Sequence, residues 1–366
     1  MKESRKNWLS SICWFAAASL LLLGGVAGFV VSVDPYQIYH PSLGGPPRFN
    51  RNMQRFSVPG LARRGNYEIA VLGTSFLQNI PNSSVRRLCG GPAVNLCLAG
   101  ASIHEEAAVL ALVLKQAKVK TLILTLDYNS LAGGAEKAVP GVEAVFPAYL
   151  YDDSVLNKLP YVLSFDSVLT SYRHLHAPLA PEETTNSDWP WKFPESMEFS
   201  ARHVVKDIDP SDINKNFRTS TMDLESMKAA FAANMFPLLG QGRDRLAGVK
   251  IHFVFPPYSI LVWHDYAQRN QIPTYLAFKK WVVEQADRLG TFDVVDYQDR
   301  ADIITNLSLY ADIYHFSEGV TEQVVQSSCS GDSRLTRDNV EARTQAITRL
   351  VQSTNPFEIV KHAAGE

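Results

Sequence analysis

The sequence of 366 residues holds little charge, few cysteines and no excess of either charge sign. Charged residues make up 20%, below the roughly 25% of an average soluble domain. With 46% hydrophobic residues, enough apolar surface is available to offset chain entropy, which excludes extensive disorder. Lys and Arg number 35 against 37 Asp and Glu, so there is no bulk attraction to nucleic acid and none is expected as a partner. Four cysteines in so long a chain exclude a disulfide-dense miniprotein, and without CxxC or Cys/His spacing no zinc site is expected. Cys13 lies in an apolar run, Cys329 stands alone, and Cys89 and Cys97 bracket a short loop. The last two fit either a disulfide outside the cytoplasm or small buried thiols. Internal repeats and low-complexity tracts are also missing.

Charge disappears altogether between Asn7 and Val33. As a helix rising about 1.5 Å per residue this run reaches ~40 Å, beyond the ~30 Å hydrocarbon core of a bilayer. Lys2, Arg5 and Lys6 precede it and Asp34-Pro35 follows, so the positive-inside rule predicts a single-pass anchor in the inner (cytoplasmic) membrane with a periplasmic or extracellular remainder. A cleaved signal peptide has an apolar region of only ~7–15 residues and small residues before the cut, unlike Gly28-Phe29-Val30-Val31. A core helix is apolar on one stripe, whereas Leu20-Leu21-Leu22-Leu23 and its neighbours are apolar all round.

Residues 34–66, rich in Pro, Gly, Arg and Asn, read as a linker or arm, with order beginning at Tyr67. Glu68–Leu72, Ala93–Leu98 and Thr121–Leu126 are buried-strand candidates, each closed by turn or polar residues. Between the last two, Ile103–Lys118 carries Glu105 and Glu106 in its first turn and Lys115 and Lys118 in its last, the charge order of a helix. The α/β pattern resumes with helices over Met222–Phe236, Thr274–Leu289 and Glu318–Gln326 and strands over Val249–Phe255 and Phe292–Val295. The fold class is α/β: a parallel sheet flanked by helices over residues 67–330, with functional loops at the carboxyl ends of its strands. An insertion at about 130–220 interrupts it with Pro, Trp and Tyr, and residues 331–366 form a C-terminal helix and tail, with a charged helix expected over Arg334–Gln352.

Two short motifs carry candidate chemistry. Ser75 follows Gly73-Thr74 at a strand end, where a hydroxyl stands above a parallel sheet beside backbone N–H groups, although such a serine is also a common helix cap. Asp312-Ile313-Tyr314-His315 supplies a carboxylate and an imidazole three residues apart, close enough in one turn for the acid to hold the ring. Taken with Asn95 before Gly100 and Asp127-Tyr128-Asn129, these motifs resemble the four ordered blocks of the SGNH/GDSL hydrolase superfamily. The resemblance covers residues 67–135 and 249–327. It is closest to the membrane-anchored members associated with bacterial exopolysaccharide O-acetylation and teichoic-acid D-alanylation systems.

That resemblance implies a flavodoxin-like domain with no cofactor and no metal. Ser75 would be the nucleophile, His315 the general base and Asp312 the residue holding the imidazole. The Gly100 backbone N–H and the Asn129 side-chain amide would join the Ser75 N–H as an oxyanion hole. Three positions depart from the pattern: Thr74 replaces an Asp, Asp127 replaces a Gly, and Ser130 replaces an Asp. Asp127 brings a negative charge near the oxyanion site unless it points away.

Within the insertion, Trp189, Trp191, Phe193 and Tyr172 suggest either an aromatic platform for sugar rings or simple packing. His174 and His176 lack a third metal ligand and are expected on the surface. Asn82-Ser83-Ser84 and Asn306-Leu307-Ser308 match the glycosylation pattern, which has no force in a bacterial chain. The expected function is serine-dependent transfer or removal of a small acyl group, acetyl foremost, on a cell-envelope or exported polysaccharide. The alternative is a non-catalytic anchored component with a degenerate site, binding polysaccharide or a membrane-bound acyltransferase. Small acyl esters are expected as substrates of the first, and esterase and transferase are not separable by sequence.

Overall fold

Short apolar runs bounded by turn residues become strands, and the longer periodic runs become the helices that cover them. The computed structural model describes residues 2–64, 66–132, 146–208, 221–240 and 246–365, with side chains described for Trp8 and from Ser10 onward. The side chains of the basic flank Lys2, Arg5 and Lys6, and residues 133–145 and 209–220 of the expected insertion, lie outside the described residues. The strands are β1 (Phe49–Asn50), β2 (Ile69–Leu72), β3 (Ala93–Asn95), β4 (Thr121–Thr125), β5 (Glu183–Thr184), β6 (Lys250–Phe255), β7 (Asp293–Asp296) and β8 (Arg334–Leu335).

The chain divides into two compact units, Met1–Gly60 with Pro147–Ser187, and Leu61–Phe146 with Asp188–Glu366. The first contains the helix Lys2–Val33, of which Ser10–Val33 is long and apolar enough to cross a membrane. Helices Leu159–Leu163 and Phe165–His176 pack against it, and β1 pairs antiparallel with β5. Asp34 turns the chain out of the long helix at a φ of +44°. Its buried carboxylate accepts the backbone N–H groups of Ile38, Tyr39 and His40 and the Tyr161 hydroxyl, charge-assisted bonds that offset the left-handed strain.

Residues 34–66 are therefore more than a linker. They contain β1 and a helix over Gln54–Arg63, which the sequence concealed behind Pro59 and Gly60. Gly60 looks like a breaker, yet a Cβ there would stand 2.1 Å from the Tyr36 carbonyl oxygen. The glycine is needed for close approach rather than for a turn.

In the second unit six strands form one sheet in the order β3-β2-β4-β6-β7-β8. The first five are mutually parallel and only β8 runs antiparallel, against β7. The chain runs from β2 outward to β3 and then back across to β4, so the strand order reverses at β2, the place where open parallel sheets present a crevice. Strands β2, β4 and β6 are buried almost throughout, which explains their near-continuous apolar sequence. Arg334–Leu335 was expected to begin a charged helix. It is the edge strand instead, and the helix starts at Val340. That helix packs on Ile272–Leu289, so the C-terminal residues belong to the sheet unit.

Cys89 is bonded to Cys329, 240 residues away, and Cys97 is free and buried. The Cys89–Cys97 pairing is thus replaced by one that joins helix Asn82–Cys89 to helix Glu318–Ser330, two helices packed on each other. Cys97 behaves as a small core residue, and burial pushes its thiol well above the ordinary value.

Candidate functional site

Gly73 ends β2 with a φ of +114°, and a Cβ there would stand 1.9 Å from the Thr125 Oγ1, so glycine alone fits. The Thr125 hydroxyl accepts the Thr74 N–H at 2.9 Å, fixing the turn that lifts Ser75 above the sheet. Asn95 secures the same loop from β3: its buried Nδ2 donates to the carbonyls of Leu77 and Gln78 at 3.1 and 3.0 Å. Residues Ser75–Leu77 form a single 3-10 turn, with Phe76 and Leu77 buried and Ser75 half-buried.

Opposite them, Asp312–His315 is a tight turn rather than a helix. One Asp312 oxygen, Oδ1, accepts the backbone N–H groups of Tyr314 and His315 at 2.7 and 2.8 Å. The other, Oδ2, lies 2.6 Å from His315 Nδ1, and His315 Nε2 lies 2.8 Å from Ser75 Oγ. An ionised Asp312 accepts a hydrogen bond from Nδ1–H and so keeps the ring proton on Nδ1, which leaves Nε2 as the acceptor for the serine O–H. Burial would raise the Asp312 carboxyl, but the hydrogen bond from the His315 ring, its charge and the two backbone N–H groups hold it down at about 2. Both partners stay partly open to solvent.

Rings fix the imidazole. Phe76 stacks on His315 with centroids 6.1 Å apart, and the Phe193 edge meets it at 5.6 Å. Phe193 is held by its N–H bond to Asn79 Oδ1, and Trp191 donates from Nε1 to the Asn95 carbonyl at 2.9 Å. Trp191 is completely buried and Phe193 nearly so. This overturns the sugar platform for Trp191, which packs the insertion under the serine loop. Trp189 stays half-exposed, with the Lys192 ammonium 5.3 Å from its ring. Tyr172 belongs to the first unit, where its ring lies 4.9 Å from that of His176. His176 is exposed, but His174 is buried, contrary to the surface placement expected for both. Among the described residues no group of three metal-ligating side chains is present.

Gly100 lies in the turn after β3 and Asn129 in the short helix Tyr128–Ala132 after β4, the two strands that flank β2. Leu72 pairs with Leu124, so Ser75 and Asp127 each stand three residues beyond a matched pair. Gly100 has a φ of +59°, and the Asn129 side chain lies close to that of Tyr314, the residue before His315. Asp127 is buried. Its Oδ1 accepts the Tyr258 hydroxyl at 2.6 Å and the Asn129 N–H at 2.9 Å. Burial raises its carboxyl, against the hydrogen bonds from Tyr258 and Asn129 and the charge of His315. Asp127 thus serves as a buried brace for the start of helix Tyr128–Ala132.

Beneath the loop lies an acid that the motif reading passed over. Glu106, in helix Ile103–Val113, is buried, and among the described residues neither carboxyl oxygen has a hydrogen-bond partner, although the Ser130 hydroxyl is near. Burial first, and the Asp127 charge second, push its carboxyl well above the ordinary value. Folding therefore takes up a proton here, and stability from this group falls as pH rises from the usual carboxylate range toward the raised value. Within that window the slope is about 1.4 kcal/mol per pH unit. Urea unfolding of wild type and Glu106→Gln is expected to converge near pH 4 and to separate in favour of the Gln variant as pH rises. Parallel pH curves would mean that the acid folds ionised.

The cleft lined by Lys250, Asp287, Asp293 and Arg334 lies at the amino ends of β6 and β7, the far end of the sheet from Ser75. Compared with known proteins, the chain matches no family model and no curated relative.

Proposed function

We propose that the chain is a serine-dependent acyl transferase or esterase of the SGNH/GDSL hydrolase-like type, with a flavodoxin-like sheet, acting on a cell-envelope or exported polysaccharide. The observation that carries this reading is the continuous relay from Ser75 Oγ through His315 to the Asp312 carboxylate, at 2.8 and 2.6 Å. A serine hydroxyl is nearly inert at neutral pH, and an oriented imidazole supplies the base that it lacks.

Ser75 Oγ attacks the ester carbonyl carbon as its proton passes to His315 Nε2. Negative charge moves to the carbonyl oxygen, which the Ser75 and Gly100 N–H groups and the Asn129 amide receive. Collapse breaks the ester C–O bond, and the departing alkoxide takes the proton from His315. Water or a sugar hydroxyl then repeats the sequence on the acyl-serine, gives its proton to His315 and leaves with the acyl group, and Ser75 recovers its proton. No step calls on a metal or cofactor. The apolar helix ending at Val33 and the Cys89–Cys329 bond support an anchored domain facing an oxidising compartment, the periplasm or the exterior.

The test is to incubate the purified chain with a fluorophosphonate serine probe and map the adduct. A single adduct at Ser75, lost in Ser75→Ala, is expected. No adduct would instead favour the non-catalytic binding component, and an adduct elsewhere would remove Ser75 from its role.

A further inference from the structure

Exposed apolar side chains outside the long helix concentrate on one short stretch of the first unit. Val155, Leu156 and Phe165 are 74%, 74% and 76% exposed, and Leu159 and Leu163 are also exposed. The positions 155, 156, 159 and 163 recur at helical spacing through the turn Leu156–Lys158 and the helix Leu159–Leu163, so they form one face. The opposite face is spoken for. Tyr161 is buried and bonded to Asp34, and the only cation of the stretch, Lys158, is buried with its Nζ bonded to the Asp152 and Ser154 carbonyls. A water-facing surface would hold the reverse arrangement, with lysine outside and leucines within.

The depth of this face follows from the long helix. Ser10–Val33 has 24 residues, about 36 Å, against the ~30 Å that a bilayer core requires. Its side chains are almost all exposed through Gly25, whereas Val30 and Val33 at its end are buried. Helices Leu159–Leu163 and Phe165–His176 are packed against this same long helix. If Ser10–Val33 spans a bilayer, its covered final turns lie at the outer boundary of the hydrocarbon, and the helices that cover them lie there too. Exposed Asp153 and Asp166 mark the two ends of the apolar stretch.

We propose that the face formed by Val155, Leu156, Leu159, Leu163 and Phe165 is a lipid-embedded foot, seated in the acyl chains just below the headgroups of the outer leaflet beside the anchor. Its occupant is lipid because the face continues the surface of a helix whose own exposed side chains require hydrocarbon. Interfacial segments of this kind bury their apolar side ~5–10 Å into the headgroup and acyl boundary and add to the hold of the anchor. The inference rests on the anchored topology proposed above.

The test uses the full chain in phospholipid nanodiscs, with Cys13→Ser and one cysteine added at Leu21, Leu156, Phe165 or Glu182, each labelled without reductant by a polarity-sensitive fluorophore, and with the Cys13→Ser chain labelled alongside as the blank for the buried free Cys97. Leu156→Cys and Phe165→Cys are expected to give blue-shifted emission, strong quenching by lipids carrying a nitroxide near the headgroup, and at least fivefold weaker iodide quenching than Glu182→Cys. Leu21→Cys should respond to a nitroxide deep in the acyl chain. Iodide access at 156 and 165 with a deep Leu21 signal would overturn the foot while leaving the anchor in place. Shielding of 156 and 165 from both quenchers would overturn it in favour of a protein partner or a second copy. Iodide access at Leu21 would remove the anchor and the foot together.

Discussion

Alanine at Ser75, or at His315, will lower turnover of a small aryl acetate by about three orders of magnitude, and the double variant will lose little more than either alone. The reason is geometric. Ser75 Oγ and His315 Nε2 share one hydrogen bond, so removing either end removes the same proton transfer. Asp312→Asn is expected to lose a similar ~10³–10⁴, since an amide cannot hold the proton on Nδ1 as the ionised carboxylate does. None of the three should melt much below wild type, because both members of the Asp312–His315 pair are partly exposed and Ser75 is half-buried. Losses that simply add in the double variant would show that Ser75 and His315 act separately and would break the relay.

Only the Asp312–His315 half of the acid-base geometry is local; the Ser75–His315 contact spans 240 residues, and in the sequence the two motifs are joined only by the resemblance. The Asp312–His315 spacing closes within one turn, and Ser75 follows from the rule that parallel strands present their carboxyl ends. What surrounds it was not legible. What holds the Asp127 carboxylate is the Tyr258 hydroxyl, 131 residues away, and no local pattern announces it. The partner of Cys89 depends on which helix packs against Asn82–Cys89, and a short sequence gap made Cys97 look nearer than Cys329. Strand β8 is two residues long, too brief for alternation to register, and the helix Gln54–Arg63 was hidden by Pro59 and a glycine kept for close packing. Local pattern therefore found the sheet and its loops. Pairings that hold the loops in place are long-range, and hydrophobic periodicity does not encode them.

Trp191 is where that distinction has the greatest energetic consequence. As a sugar platform it would be dispensable to the fold, and its removal would cost only polysaccharide turnover. Buried as it is, Trp191→Ala is expected to lose about 3–5 kcal/mol from lost apolar burial and the cavity together, and to strip the Asn95 carbonyl of the indole donor. The Asn95 side chain in turn ties down Leu77 and Gln78, directly after Ser75, so disturbance at Trp191 propagates to the serine turn. The melting temperature should fall by on the order of ten degrees. Turnover of a small aryl acetate and of an acetylated polysaccharide should then fall by the same factor as the fold loosens. Trp189→Ala is the control, since its half-exposed ring leaves room for sugar stacking and should melt close to wild type. Selective loss on polysaccharide for Trp191→Ala, with an unchanged melting curve, would return that indole to the substrate and contradict its packing role.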